Sequence, residues 1–178
     1  EGWQWVRLGM LADQVNGKAF KPSDWVSIGI PIVRIQNLND RQAAFNYCSE
    51  DVVESKYIIS TDQILISWSG TPGTSFGAFR WKRGKAALNQ HINRVVLFGD
   101  SCFDKDYFVI MVNAQLDVLI GAARGAVGLR HVTMGQLDNL CVALPPLAEQ
   151  SRIVSRVQEL MQVLDTLEAR SKESEGSR

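Results

Sequence analysis

The sequence predicts an α+β chain in which a β-rich body with short helices, residues 1–144, is followed by one long C-terminal helix, residues 145–178. Three observations lead there. Short apolar runs rich in β-branched and aromatic residues, broken by glycine- and proline-bearing loops, fill the first half, as in "QILISWSGTPGTSFGAFRW" at residues 63–81. Pro145-Pro146 marks a boundary, because proline fits the first turn of a helix but not its interior. Beyond it Ile153, Val157, Leu160, Leu164 and Leu167 are spaced four, three, four and three apart, a heptad seam widened by Val154 and Met161. At 178 residues the chain holds one core with an appended element.

In order along the chain, residues 5–8 read as a short strand and residues 10–15 as a turn of helix. The polar loop "NGKAFKPSDW" follows, where Gly, Lys and Pro forbid a regular element. "IPIVRIQNLND" alternates Ile30, Ile32, Arg34 and Gln36 against Pro31, Val33, Ile35 and Asn37, predicting a strand that points Arg34 and Gln36 the same way and ends in an Asn-rich turn. Residues 63–68 predict a strand, residues 76–81 its antiparallel return, and "ALNQHINRVVLF" a further strand through Val95, Val96 and Leu97. Asp104 caps a predicted helix through about Asn113, with Tyr107, Phe108, Ile110 and Met111 as its buried stripe. Leu116, Leu119, Ile120 and Ala123 suggest a second helix, broken by Gly125 and Gly128. Thr133 with Gln136 three residues later forms a capping box, so a short helix starts at Met134 and leads to a strand at residues 141–144. The last helix runs from near Pro146 towards Lys172. A helix of this length is marginal alone in water, so its seam calls for a partner.

Composition excludes several classes. Hydrophobic residues make up 46% and charged residues 21%, ordinary globular usage. No apolar run approaches the ~20 residues that span a bilayer, and "EGWQW" lacks the layout of a signal peptide, while the usage of three scattered cysteines leads to the expectation of a reducing, cytoplasmic setting. Cys48, Cys102 and Cys141 are far apart, with no C-x-x-C and two histidines in all, so no disulfide framework, metal site or other cofactor is expected. The net charge is zero, from 19 basic and 19 acidic residues, but its distribution is uneven. Residues 63–99 contain no Asp or Glu and carry Arg80, Lys82, Arg83, Lys85 and Arg94. A second acid-free window, residues 118–137, holds Arg124, Arg130 and His131. A neutral chain can therefore present one basic face.

The loop at residues 70–75 lacks the lysine of a phosphate-binding P-loop. It reads either as a hairpin loop whose glycines accommodate tight turns, or as a ligand-contacting loop in which Ser69, Thr71, Thr74 and Ser75 offer hydroxyls and Gly70 lets backbone N–H groups approach phosphate oxygens.

"NGKAFKPSDW", "GIPIVRIQNLND", "ILISWSGTPGTSFGAFRW", "ALNQHI", "ARGAVGLRHVTMGQLDNL" and above all "LPPLAEQSRIVSRVQELMQVLDTLEA" together resemble one half of the DNA-specificity subunit of type I restriction-modification systems, in order and over nearly the whole chain. The resemblance implies a target recognition domain that reads half of a split DNA sequence, and a long helix that pairs antiparallel with its counterpart. It also implies that methylation and cleavage belong to separate modification and restriction subunits, leaving this chain without catalysis. One domain and one helix fit either a piece of a larger subunit or a natural half that dimerises and reads an inverted repeat.

On that reading phosphate contacts come from Lys18 and Lys21, which otherwise are solvated lysines. Arg34, Gln36 and Asn37 are placed to reach base edges, unless Arg34 pairs with an acid. Ser69, Gly70, Thr71 and Thr74 belong to the glycine loop, and Arg124, Arg130 and His131 precede a helix start where an anion is favoured. Trp68 reads as core rather than as a base-stacking platform, Asn89-Gln90-His91 as a shaping element, and Lys82, Arg83 and Lys85 as a solvated turn. The seam residues Ile153, Val157, Leu160, Leu164 and Leu167 pair helices. Two other readings stand beside this one: the recognition domain of a fused restriction-methyltransferase enzyme, and a protein-protein adaptor whose helix oligomerises it.

Overall fold

A computed structural model describes residues 2–69, 76–123 and 133–176. In chain order its elements are β1 (Gln4–Arg7), β2 (Ala12–Asn16), β3 (Ile30–Val33), α1 (Ile35–Asn39), β4 (Asn46–Cys48), β5 (Ile58–Ile59) and β6 (Gln63–Ser67). Then come β7 (Gly77–Trp81), β8 (Ala86–Leu88), β9 (Ile92–Leu97), α2 (Lys105–Ala123), α3 (Met134–Asp138), β10 (Cys141–Leu144) and α4 (Leu147–Gly176). The chain is α+β, with a β-rich body and a long C-terminal helix.

One antiparallel sheet has the order β2-β9-β6-β7 and a second the order β4-β3-β8-β5, in which β3 and β8 run parallel. β6 is buried on both faces, which is why its sequence is a continuous apolar run. Ile64 and Ile66 face α2, packing with Phe108, Val112 and Leu116. Leu65 faces the second sheet, among Val33, Ile59, Trp81, Leu88 and Ile92. A ribbon of β1 and β10 closes the body beside α2, where the Tyr107 hydroxyl donates to the Ala143 carbonyl at 2.7 Å.

Three expectations about elements are corrected. Residues 10–15 do not form a helical turn: after a 3-10 turn at Leu8–Met10 the chain enters β2, whose register with β9 runs from Ala12↔Leu97 to Asn16↔Asn93. A segment that short follows the ladder offered by its neighbour rather than its own propensity. The strand expected to continue through Gln36 stops at Val33, because the Asn37 carboxamide accepts the Arg34 N–H at 3.0 Å and starts α1. Arg34 and Gln36 therefore do not share a strand face. Lastly, the two helices expected between Asp104 and Ala123 are one, α2, capped as expected by the Asp104 carboxylate, which accepts from the N–H groups of Asp106 (2.9 Å) and Tyr107 (3.1 Å).

Asn113, where the first helix was expected to end, lies inside α2. Its carboxamide accepts the Ala78 N–H at 2.7 Å and donates to the Ala78 carbonyl at 3.0 Å, pairing the open edge of β7 as another strand would. A Cβ on Gly77 would lie 2.8 Å from the Asn113 oxygen, so glycine is what lets helix and strand edge approach.

The start of α4 is locked into the body by Gln150, 1% exposed. Its oxygen accepts the Asp104 N–H at 2.8 Å, and its amide donates to the carbonyls of Cys102 (3.2 Å) and Pro145 (2.9 Å). Val154 is buried and Ile153 packs against the same core. Farther along, the seam leaves the body: Leu160, Leu164 and Leu167 are 49%, 51% and 54% exposed. No described helix is long and apolar enough to cross a membrane.

Candidate DNA interface

Of the expected site residues that are described, Lys18 and the chain beside Arg34 and Ser69 meet at one turn, residues 89–92, between β8 and β9, whereas Asn37 is held by Arg83 beside Trp81. Asn89 donates its N–H to the Val33 carbonyl at 3.1 Å, beside Arg34. Gln90 donates to the Lys18 carbonyl at 2.9 Å, and Lys18 donates to that of Leu88 at 2.9 Å. On the other flank Trp68 donates to the His91 carbonyl at 3.3 Å, and the two rings meet edge-on with centroids 4.9 Å apart. A Cβ on Gly17 would lie 2.1 Å from the Asn89 carbonyl oxygen, so the Lys18 loop reaches the turn only through glycine. Three loops distant in sequence thus converge where β6 ends. Ser69 is next, its carbonyl accepting the buried Ser67 hydroxyl at 3.0 Å.

The same end of the sheet holds α3. Asn93 is fully buried and donates to Gln14 Oε1 at 3.1 Å and to Met134 Sδ at 2.7 Å, while Gln14 donates to Asp138 at 3.1 Å. Thr133 caps α3 as its sequence predicts, accepting the Gln136 N–H at 3.3 Å. Sequence reasoning passed over Asn93 and Gln14. The available signal was a polar side chain inside the β-branched run "INRVVL".

Electrostatics separates the expected cations. Arg80 binds Asp62 through Nε at 3.0 Å and Nη2 at 2.5 Å, and Asp106 through Nη1 at 3.0 Å. The hydrogen bond from Arg80, with its charge, holds the Asp62 carboxyl below the usual carboxylate range. Arg83 donates to the carbonyls of Asn37 (3.2 Å) and Arg41 (3.1 Å) and lies over the rings of Phe45 and Trp81. Lys85 pairs with Glu50. Acids from elsewhere in the chain thus engage Arg80 and Lys85 of the acid-free window, while Lys82, Arg83 and Arg94 form no ion pair among the described residues.

Lys18, Lys21 and Arg34 differ. Among the described residues none of the three forms an ion pair. Lys18 Nζ donates to the Val52 carbonyl at 3.3 Å and lies 5.2 Å from the centre of the Phe20 ring. Lys21 is exposed and its N–H donates to Asp24 at 2.8 Å. Arg34 is half-buried, its Nε without a hydrogen-bond partner among the described residues. Gln36 is exposed, whereas Asn37 is 3% exposed with its amide committed to Arg34, Ala43 and Ala44, so it shapes the loop instead of meeting a base. Trp68 is half-buried against the core. Gly70, Thr71, Thr74, Arg124, Arg130 and His131 lie outside the described residues. Of the seam residues, Ile153 belongs to the body's packing, Val157 is half-buried, and the three leucines face outward. Among the described residues no group of three His, Cys, Asp or Glu is arranged to hold a metal ion.

Comparison with known proteins gives this arrangement its family. The EcoBI type I restriction enzyme specificity subunit of Escherichia coli is 26% identical over 170 residues, covering 93% of this chain and 34% of that protein. The EcoAI specificity subunit of the same organism is 26% identical over 179 residues, covering 94% and 30%. The chain spans about a third of the length of these curated relatives. Two solved structures share its fold. A chain from work on complex assembly and conformational transition of the type I R-M system superposes with a TM-score of 0.74 at 19% identity, covering 99% of this chain and 42% of that one. The HsdS subunit from Thermoanaerobacter tengcongensis gives 0.62 at 20% identity, covering 93% and 39%. The model of the type I restriction modification DNA specificity domain matches residues 1–174, head and helix together, and this chain belongs to that family.

Proposed function

We propose that this chain is one recognition half of a type I specificity subunit. The end of the head where β6 stops reads one half of a bipartite duplex site, and α4 pairs with the helix of a second half, whether in another copy or in the same longer chain. Residues 1–144 form the recognition domain and residues 145–178 the pairing helix. Methyl transfer and strand cleavage fall to the modification and restriction subunits that the assembly carries, so this chain acts as a guide and not as an enzyme.

The observation that carries the reading is the convergence of Lys18, Arg34 and Trp68-Ser69 on the turn at residues 89–92, with neither cation in an ion pair among the described residues. Cations without carboxylate partners are available to phosphates, and Gln36 and Ser69 supply donors and acceptors for base edges. Gly70, Thr71, Thr74, Arg124, Arg130 and His131 remain proposed contacts from their place in the sequence. Selection of duplexes from a randomised library by the purified chain tests the function. Enrichment of one short sequence is expected, and recovery of an unbiased pool contradicts it.

A further inference from the structure

We propose that the cleft between the β6–β9 pair and the segment Ser55–Ser60 binds a small monocarboxylate with a short apolar body, and that Arg94 is its counter-charge. None of the residues assigned to DNA contact takes part.

The face of β6 and β9 turned to the second sheet is apolar until its last positions. Leu65 and Ile92 are buried there. Arg94, opposite Leu65 in the ladder and two residues beyond Ile92, points the same way, as does Gln63, two residues before Leu65. An inward charge on an edge strand guards against aggregation, but β6 and β9 are the two central strands of their sheet. Both side chains are half-buried, and Arg94 Nε and Gln63 Oε1 are shut off from solvent with no hydrogen-bond partner among the described residues. Arg94 forms no ion pair among them either. The ordinary remedy stands on the other face of β6, where Arg80, opposite Ile64, takes the carboxylates of Asp62 and Asp106. A guanidinium does not escape by losing its proton, so an unpaired one held half-buried costs stability until an anion joins it.

An anion has room. Gln63 and Arg94 line a cleft of about 460 Å³ together with Ser55, Ile58 and Ser60. Glu50 and Lys85 also border it, but they pair with each other, which leaves Arg94 as its cation without a counter-ion. A smaller cavity of about 190 Å³ shares Gln63 and Arg94, and its Asp62 and Lys105 are paired as well. One unmatched positive charge suits one negative charge, whereas a phosphate dianion would set its second charge near Glu50. Val53, Ile58 and Ile59 give the cleft an apolar wall, so the matching ligand is charged at one end and apolar at the other. The planar fork of a guanidinium holds a carboxylate through two parallel N–H···O bonds.

The test is calorimetric titration of the full chain, as wild type, Arg94→Met and Ser60→Trp, with isocaproate, its uncharged isostere isocaproamide, and acetate. The wild type should bind isocaproate with a dissociation constant of about 1 mM or lower, and the other two at least about tenfold more weakly, isocaproamide for want of charge and acetate for want of an apolar body. Arg94→Met should bind isocaproate no better than isocaproamide, since the preference for charge leaves with the guanidinium. Its thermal midpoint without ligand should equal or exceed that of the wild type, because methionine fills similar space with no unpaired charge, a stability that binding sites commonly forgo. Ser60→Trp, which fills the cleft from an exposed position, should abolish saturable binding. No saturation of the wild type by about 20 mM isocaproate, or equal wild-type affinity for isocaproate and isocaproamide, overturns the proposal. So does an undiminished preference for isocaproate in Arg94→Met, or an unchanged affinity in folded Ser60→Trp, either of which puts binding elsewhere. An Arg94→Met protein that melts several degrees lower or does not fold overturns it too, because the guanidinium is then part of the scaffold.

Discussion

The two ends of β6 differ in what their polar groups do. At the Gln63 end Arg80 joins Asp62 and Asp106, Asp104 caps α2, and Gln150 satisfies the chain on both sides of the α4 junction. At the Ser67 end Lys18 and Arg34 have no carboxylate partner among the described residues, and the turn at residues 89–92 is held by backbone bonds. The helix is rooted at the satisfied end and the proposed DNA contacts lie at the other. One end builds the molecule, and the other is built by it.

The largest test of that division is Gln150→Leu. It strands the Asp104 N–H and the carbonyls of Cys102 and Pro145 in a buried joint, a loss of about 3 kcal/mol, which lowers the thermal midpoint by roughly ten degrees. A midpoint within a degree or two of wild type on calorimetry would break the comparison.

Leu160→Glu with Leu164→Glu should change assembly and not the head. Light scattering should show a paired mass for the wild type at tens of micromolar and a single-chain mass for the variant, with the head's midpoint unmoved. A wild type already of single-chain mass would remove the seam's partner.

Arg80→Ala should cost about 1–2 kcal/mol, moderated by the exposure of Asp62 and Asp106, and leave DNA affinity as it was. The pH dependence follows from the sign of the Asp62 shift. Its folded carboxyl titrates below its unfolded one, so the stabilisation is present above the ordinary carboxylate range and is lost as pH falls through the lowered folded value. Denaturant melts from pH 6 down to pH 2 should show that acid loss in the wild type and less of it in Arg80→Ala. Tyr107→Phe is smaller again, about 1 kcal/mol for its single bond to Ala143 on chemical denaturation.

Much of this fold was legible in the sequence because local chemistry decided it. β6 and β7, the Thr133 capping box and the Pro-Pro start of α4 follow from apolar runs, a two-residue hydrogen-bond exchange and a backbone constraint. β2 was not legible, since only its ladder with β9 makes it a strand. Nor was the continuity of α2, in which Asn113, where the first helix was expected to end, seals the edge of β7 in space. The same distinction governs the site. Heptad spacing predicted a seam yet could not show that Ile153 meets its own head while Leu160 does not, since both burials leave the same period. Asn37 looked like a base reader by residue type, and its three loop hydrogen bonds are invisible to a strand pattern. The charge window failed for a related reason: Arg80 and Lys85 find acids that lie outside it in sequence and beside it in space.

The most direct measurement is the salt dependence of binding to one 30-base-pair duplex by the wild type, Lys18→Ala and Lys85→Ala. For about five phosphates neutralised, the slope of log affinity against log salt should be near −4.5. It should become shallower by about 0.9 in Lys18→Ala and stay unchanged in Lys85→Ala, whose lysine already holds Glu50. A slope near zero, or the same slope in all three proteins, contradicts the assignment of DNA contact to the Lys18 end of the head.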